Sequence, residues 1–166
     1  MTPAPARARE TTDALPDAIV RMLDGSNLER GEGETFCLVT TGRDGWPHVA
    51  LLSVGEVVAV APRELRLALH AGSGSTAALE ASERGTLLVV HDGAALTVRL
   101  RTGLLGRPVV AGVALACFRA GVEEVVTHRA GYAELETGPR FRLVERETTL
   151  ARWRQTVAAL LEAGAP

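Results

Sequence analysis

The residues with the clearest chemical potential form a short run of small and hydroxylated side chains, residues 72–77. Two glycines in the run allow a ligand to approach the backbone closely. The hydroxyls of Ser73, Ser75 and Thr76 lie where a helix would begin, beside N–H groups that have no helical partner. Such donors suit a phosphate or another anion, but the same residue types also cap helices without any ligand. The run therefore predicts either an anion site or a plain helix cap.

The same run also satisfies the glycine-rich fingerprint of dinucleotide-binding folds, with Ala77 in the third position. Asp92 ends the next predicted strand, about 20 residues further on, where such folds place an acidic residue. That fold needs a parallel sheet with further crossovers, whereas hairpin turns flank this stretch. The sheet topology therefore decides whether the dinucleotide hypothesis is correct.

Other candidate groups do not form a recognisable catalytic set. The four histidines lack the spacing of a helical zinc site, which predicts no metal centre, and the Gly-x-Ser-x-Gly elbow is absent. Cys37 and Cys117 lie far apart in apolar runs, a pattern typical of buried thiols in a reducing compartment. All eighteen basic residues are arginine, which excludes mechanisms that need a lysine amine.

Composition limits the class of protein further. A chain of 166 residues suits one domain, and a net charge of -2 argues against a nucleic-acid binder. The apolar run 109–118 is too short to span a bilayer, and residues 1–12 lack the apolar core of a signal peptide. We therefore expect a cytoplasmic protein with a disordered lead-in over residues 1–12 and a single domain over residues 13–166.

Hydrophobic periodicity and turn residues predict a mainly β fold. Hairpin signals, such as the Asp-Gly pairs at residues 44–45 and 92–93, join most of the strands. Strands are expected at 36–41, 47–54, 57–61, 64–70, 86–91, 96–101, 109–126 (as one or two strands) and 140–144. Helices are expected at 13–25, from residue 73 or 75 through 84, and from 148 or 149 to 163. We expect six or seven of these segments to form an antiparallel β-barrel, with a short central helix and a helix at each end of the chain.

The order of these elements resembles the pyridoxamine 5'-phosphate oxidase-like family of flavin-binding split barrels, over about residues 30 to 145. The resemblance is carried by Phe36-Cys-Leu-Val-Thr-Thr, Asp44-Gly-Trp-Pro47-His48-Val, Leu65-Arg-Leu-Ala-Leu-His70, Ser73-x-Ser75-x-x-x-Leu79 and Thr86-Leu-Leu-Val-Val. It implies a split antiparallel barrel, a homodimer, and flavin mononucleotide (FMN) held at the subunit interface by both chains.

The resemblance also implies a set of cofactor-binding residues. Ser73, Ser75 and Thr76 would hold the phosphate, while His48 and Ser53 would lie nearer the flavin ring. The full predicted set is His48, Ser53, Arg66, His70, Ser73, Ser75 and Thr76. The catalytic residues and the small-molecule substrate stay unassigned, and neither nucleic acid nor membrane is an expected partner.

Two departures from the family pattern concern the phosphate. Ala50 stands where the family commonly has an arginine, and Ser75 where it commonly has a lysine. Each lost charge-assisted contact is worth about 1.5–3 kcal/mol, so other cations would have to compensate, with Arg66, Arg99 and Arg101 as candidates.

Two functions follow from the resemblance. One is a flavin-dependent oxidoreductase of unknown substrate, and the other is a non-catalytic split-barrel dimer that has lost flavin or binds another ligand. A typical pyridoxamine phosphate oxidase is not expected, because its basic C-terminal substrate motif is not evident between residues 140 and 153.

Overall fold

The computed structural model describes residues 8–163. Within this part of the chain nine strands form the sheet: β1 (Ala8–Thr12), β2 (Phe36–Thr41), β3 (Pro47–Leu52), β4 (Val57–Ala61), β5 (Glu64–His70), β6 (Arg84–His91), β7 (Ala94–Gly106), β8 (Val109–Val110) and β9 (Val113–Arg129). Three helices accompany them: α1 (Asp17–Met22), α2 (Gly74–Ser82) and α3 (Arg146–Glu162). The predicted mainly β class with a central helix and two terminal helices is confirmed.

Seven strands form one continuous path in the order β3-β2-β6-β7-β9-β5-β4, and the short strands β1 and β8 both pair with β9. Every strand pair within residues 8–163 is antiparallel, and β5 and β6, which flank α2, are not neighbours. A dinucleotide-binding unit would place these two strands side by side and parallel. The topology therefore excludes the dinucleotide hypothesis, and the sheet is the open form of a split barrel.

The β2–β3 hairpin follows directly from its sequence. Gly45 takes a left-handed conformation with φ +80°, which allows the tight turn that the Asp-Gly pair predicts. The two strands then pair in register from Thr41 opposite Pro47 to Phe36 opposite Leu52. One face of β2 is buried. Its other face is only partly buried and is continuous with the exposed face of β3.

The core forms where the inner face of the sheet meets the helices. On α3 the stripe Leu150, Trp153, Val157 and Leu160 is buried, as its helical spacing predicts. Trp153 lies so close to Gly55 that a Cβ atom at residue 55 would come within 2.1 Å of its ring. Phe141 packs edge-on against the same ring, with ring centroids 6.1 Å apart. A close approach to glycine thus fixes α3 against the β3–β4 connection.

Two predictions about strands are wrong. Residues 8–12, predicted as part of the disordered lead-in, form β1, because their backbone pairs with the end of the long strand β9 from Ala8 opposite Arg129 to Thr12 opposite Val125. Residues 1–7 lie outside the described residues. Residues 140–144 do not form a strand: a single bridge joins Glu34 to Arg140, and beyond it Phe141 and Leu143 pack on the core without a ladder.

Boundaries of other elements differ from the prediction. The helix α1, predicted over residues 13–25, begins at Asp17, after Pro16, and ends at Met22. The strand β7 extends to Gly106 and β9 begins at Val113, because each supplies the hydrogen-bonding partner for the other along most of its length. The predicted segment 109–126 thus becomes a two-residue strand, a turn at Gly112 and one long strand.

Candidate functional site

A groove of about 500 Å³ lies between the β2–β3 hairpin and α2. The hairpin residues that line it are Gly42, Arg43, Asp44 and His48, and the α2 residues that line it are Gly74, Ala77, Ala78, Glu80 and Ala81. This volume lies within the usual range for small-molecule sites. The groove brings one predicted site residue, His48, to the beginning of the helix that the Gly/Ser-rich run predicts.

The N-terminus of α2 is capped by a closed set of hydrogen bonds. The N–H of Thr76 donates to Ser73 Oγ at 3.1 Å, Ser73 Oγ donates to Thr76 Oγ1 at 3.0 Å, and Thr76 Oγ1 donates to the carbonyl of His70 at 2.9 Å. Thr76 is also fully buried. The hydroxyls of Ser73 and Thr76 are therefore engaged in the hydrogen bonds of the helix cap. The capping hypothesis is correct for these two residues, and the backbone N–H groups of Gly74 and Ser75 remain as donors without a partner among residues 8–163.

Arg43 is a cation that the sequence interpretation missed. It lies on the tight turn of the hairpin, lines the groove, and makes no ion pair with any residue from 8 to 163. Its only sequence signal was an arginine inside a turn motif. Nothing local indicates that the turn would face α2, since that contact depends on the packing of the helix over the sheet.

His48 is held at the floor of the groove by its neighbours. Its Nε2 lies 3.9 Å from Asp44 Oδ1, which itself accepts the N–H of Trp46 at 3.1 Å. On its other side, a Cβ atom at residue 74 would lie 3.6 Å from His48 Nδ1. The imidazole is about two-fifths exposed, so one ring nitrogen can meet a ligand.

Carboxylates share the groove with these donors. Glu80 of α2 lines it and forms an ion pair with Arg107, and Asp44 lines it without a cationic partner other than His48 in the described part of the chain. An anion in the groove is therefore attracted by Arg43 and by the helix N-terminus and is repelled by Asp44.

The structure does not bring the other predicted site residues into this groove. Ser53 is buried at the far end of β3, about 17 Å along the strand from His48, and both its N–H and its hydroxyl donate to Glu56 at 2.8 Å. His70 is exposed beside the turn, where its Nδ1 accepts the N–H of Gly72 at 3.2 Å. Ser75 is buried on the inner side of α2, away from the lining residues.

Arg66 is committed elsewhere. Its guanidinium donates to the carbonyls of Leu160 and Leu161 at 2.8 and 3.0 Å, which satisfies orphan carbonyls at the C-terminal end of α3. Arg99 and Arg101 form ion pairs with Glu124 and Glu123. The three arginines predicted to compensate for the missing cations thus have other partners, and Arg43 is the one that faces the groove.

The cysteines differ from each other. Both are free thiols. Cys117 is fully buried in β9, and burial raises its pKa, which keeps the thiol protonated and unreactive. Cys37 is half-buried on the outer face of β2. In residues 8–163 no group of three or more histidine, cysteine or carboxylate side chains is arranged to hold a metal ion, and no helix there is long and apolar enough to cross a membrane.

Comparison with solved structures places this geometry among known folds. A provisionally assigned pyridoxamine 5'-phosphate oxidase from Lactobacillus delbrueckii superposes with a TM-score of 0.51, at 16% identity, over 69% of this chain and 94% of that one. The HupZ protein of Group A Streptococcus superposes with a TM-score of 0.52, at 8% identity, over 68% of this chain and 98% of that one. The fold is therefore that of the pyridoxamine 5'-phosphate oxidase-like split barrels.

A protein that is similar in sequence identifies the family of this chain. The uncharacterized protein YclD of Bacillus subtilis strain 168 is 31% identical over 148 residues, which cover 89% of this chain and 96% of that protein. The chain belongs to the same family as YclD. No family model matches the sequence.

Proposed function

We propose that the protein binds FMN with its phosphate in the groove between the β2–β3 hairpin and α2, and that it acts as a flavin-dependent oxidoreductase. The observation that carries this proposal is the convergence of Arg43, His48 and Gly74, at the N-terminus of α2, on one groove. The chain has the fold of pyridoxamine 5'-phosphate oxidase-like proteins, and this fold supports the proposal.

The donor set fits a phosphate dianion. The N–H of Gly74, which lines the groove, lies at the helix N-terminus, and the Ser73 cap holds that terminus in place. Arg43 adds one guanidinium, which binds phosphate oxygens through charge-assisted hydrogen bonds worth about 1.5–3 kcal/mol each. Arg43 thus replaces one of the two cations that Ala50 and Ser75 fail to supply.

When bound, the flavin would supply hydride or electron transfer, chemistry for which the chain has no group of its own. The chain positions and polarises it. Arg43 and α2 anchor the phosphate, while the exposed edge of His48, braced by Asp44, can donate or accept one hydrogen bond at the next part of the ligand.

A second candidate is a non-catalytic split-barrel protein that binds another ligand in the same groove. The carboxylate of Asp44 favours it, because it places negative charge beside the position where a phosphate would lie. Such a ligand would be less anionic than FMN.

We further propose that the protein is a homodimer formed through the outer face of β2 and β3. Val49 and Leu51 are about three-fifths exposed on the edge strand β3, and their cross-strand partners Val39 and Cys37 are partly buried beside them. Exposed apolar residues that adjoin one another in this way mark association surfaces. A second copy is the occupant we expect, because a two-fold axis would bring this strip against itself and leave both grooves at the edge of the contact. Both cysteines are free thiols, which supports a cytoplasmic location for the dimer.

The flavin proposal is tested by titrating the purified protein with FMN and following visible absorbance and flavin fluorescence. We expect saturable binding at micromolar concentration and a tenfold or greater loss of affinity in Arg43→Ala, which corresponds to at least about 1.4 kcal/mol. Arg152→Ala is the matched control, because Arg152 is an exposed arginine of α3 that makes no ion pair in the described residues. If wild-type protein does not bind FMN at micromolar concentration, the oxidoreductase proposal fails and the second candidate stands.

The dimer is tested by light scattering after size-exclusion chromatography. Leu51→Arg should convert the dimer to monomer, because it places a charge at the centre of the apolar strip. Val144→Arg is the control, since Val144 is 92% exposed on a loop outside the strip. A wild-type monomer, or a Leu51→Arg dimer of unchanged stability, would contradict the proposal.

A further inference from the structure

A second cavity, of about 720 Å³, lies at the opposite end of the sheet from the groove. The antiparallel pairing of β2 with β6 sets Cys37 opposite Leu88 and Val39 opposite Thr86. Residue 34, before β2, therefore lies near the end of β6 at His91, whereas the hairpin turn lies near the beginning of β6. The length of β6 separates the two sites by about 20 Å.

Four segments line this cavity: α1, the loop 24–34 that follows it, the β6–β7 turn and residues 136–140. Interactions across the fold connect the last three. Arg140 forms an ion pair with Glu34, the N–H of Phe141 donates to the carbonyl of Gly33 at 3.3 Å, and the N–H of Leu135 donates to the carbonyl of Gly93 at 3.2 Å. The walls are thus fixed before any ligand arrives, which lowers the entropic cost of binding.

The loop 24–34 is itself ordered by local hydrogen bonds. The N–H of Ser26 donates to Asp24 at 2.8 Å, and the N–H of Arg30 donates to Asn27 Oδ1 at 3.1 Å. Leu28 is buried, and Gly31 packs so tightly on Val54 that a Cβ atom there would come within 2.4 Å of it. The backbone that carries Arg30 is therefore held in position.

The cavity contains charges of both signs that form no ion pair within residues 8–163. Glu34, Arg140 and Asp92 are neutralised by their ion pairs. Arg21 and Arg30 line the cavity without an ion pair among residues 8–163, and so do the carboxylates of Asp24 and Glu136. Hydrogen bonds from Ser26 also lower the pKa of Asp24, which keeps this carboxylate ionised.

We propose that this cavity binds a small zwitterion, with a carboxylate or phosphate group held by Arg21 and Arg30 and an ammonium group held by Asp24 and Glu136. Guanidinium groups bind such oxyanions through paired hydrogen bonds. A dianion would meet the two carboxylates, and a dication the two arginines, so each would be repelled at one end. The balance of free charge selects the zwitterion.

The test uses three probes with the same four-carbon chain length: 4-aminobutanoate, succinate and 1,4-diaminobutane. Binding is followed by NMR titration of backbone amides in full-length, ¹⁵N-labelled protein. We expect 4-aminobutanoate to shift amides of the loop 24–34 and residues 136–140 saturably, with a dissociation constant of the order of millimolar, as suits so small a ligand. Succinate and 1,4-diaminobutane should bind at least about tenfold more weakly.

Three variants assign the roles. Arg21→Ala and Arg30→Ala should each weaken 4-aminobutanoate binding about tenfold. Glu136→Gln should reverse the preference towards succinate, an effect that a merely structural residue would not produce. The control Arg152→Ala should bind all three probes as wild type does, and a dispersed spectrum for each variant shows that it is folded.

Succinate or 1,4-diaminobutane binding more tightly than 4-aminobutanoate would overturn the proposal. So would the absence of saturable shifts with any probe, or unchanged affinity in both arginine variants. The FMN titration is independent of this result, because Arg21 and Arg30 do not line the groove.

Discussion

The groove at one end of the sheet and the cavity at the other are built in different ways. The groove is assembled from two local motifs, a tight hairpin and a capped helix, each complete within about ten residues of sequence. The cavity takes its walls from residues between 18 and 140 and depends on ion pairs and bridges between them. Local motifs form wherever their sequence occurs, whereas the cavity exists only once the whole sheet has folded.

The two sites also differ in charge. The groove has one free arginine beside a helix N-terminus, which favours a single anionic group. The cavity has free charges of both signs on walls that are already cross-linked. The groove should therefore tolerate damage to distant packing, while the cavity should not.

The largest expected effect is that of Trp153→Ala. Removing this buried ring should cost about 3–5 kcal/mol, because it leaves an unfilled space against Gly55 and removes the packing partner of Phe141. Since Phe141 adjoins Arg140, hydrogen exchange should accelerate in residues 134–143 more than in the hairpin 42–48.

Chemical denaturation measures the first quantity and mass-spectrometric hydrogen exchange the second. Trp46→Ala is the matched control, because Trp46 is 74% exposed and its loss should change stability by no more than about 0.5 kcal/mol. If hydrogen exchange in Trp153→Ala accelerated equally in residues 134–143 and in the hairpin 42–48, the groove would depend on distant packing as much as the cavity does.

An intermediate effect is expected from Ser73→Ala. The variant loses the cap of α2 and should be destabilised by about 1 kcal/mol, since the N–H of Thr76 loses its acceptor. FMN affinity should fall as the helix N-terminus frays, while 4-aminobutanoate binding in the cavity should not change.

Ser82→Ala provides the control at the other end of the same helix, where the hydroxyl donates to the carbonyl of Ala78. It should leave FMN affinity as in wild type. A loss of FMN affinity of the same size in both serine variants would mean that general loosening of α2, and not its N-terminus, sets the affinity.

The smallest effect on stability is expected from Glu34→Gln. The ion pair with Arg140 is partly exposed, so its loss should cost less than about 1 kcal/mol. Arg140 then becomes a third unpaired arginine in the cavity, and succinate binding should strengthen several-fold.

Glu123→Gln, which breaks a comparable exposed pair with Arg101, is the control for a change in charge outside the cavity. Thermal unfolding and the NMR titration give the two readouts. Unchanged succinate affinity in Glu34→Gln would show that Arg140 does not face the ligand.

The groove and the cavity also differ in how much of each can be predicted from the sequence. The strands β2, β4 and β5 have the predicted boundaries, because alternation and turn residues define them locally. Ser73 was one of two predicted caps and is the cap observed. The cavity could not be predicted, since Arg21 and Arg30 acquire their common surroundings only through contacts with residues far along the chain.

Arg43 and Arg66 illustrate the limits within the site itself. Alternation on β5 gives the face on which Arg66 lies, but the carbonyls that bind it belong to α3, nearly a hundred residues later. Arg43 looks like an ordinary turn residue until α2 packs over the hairpin. Burial and pairing across the fold decide which arginine is free, and neither quantity is local.

The central position of β9 has a consequence for the order of folding. This strand pairs with β1, β5, β7 and β8, although it is the last strand of the described chain. During synthesis the β4–β5 hairpin and the β2–β3–β6–β7 sheet therefore emerge as two separate halves, each with an edge that awaits the same missing strand. Such long-range pairing slows folding and prolongs the exposure of unpaired edges. The split barrel forms as one sheet only when residues 113–129 leave the ribosome and join its halves.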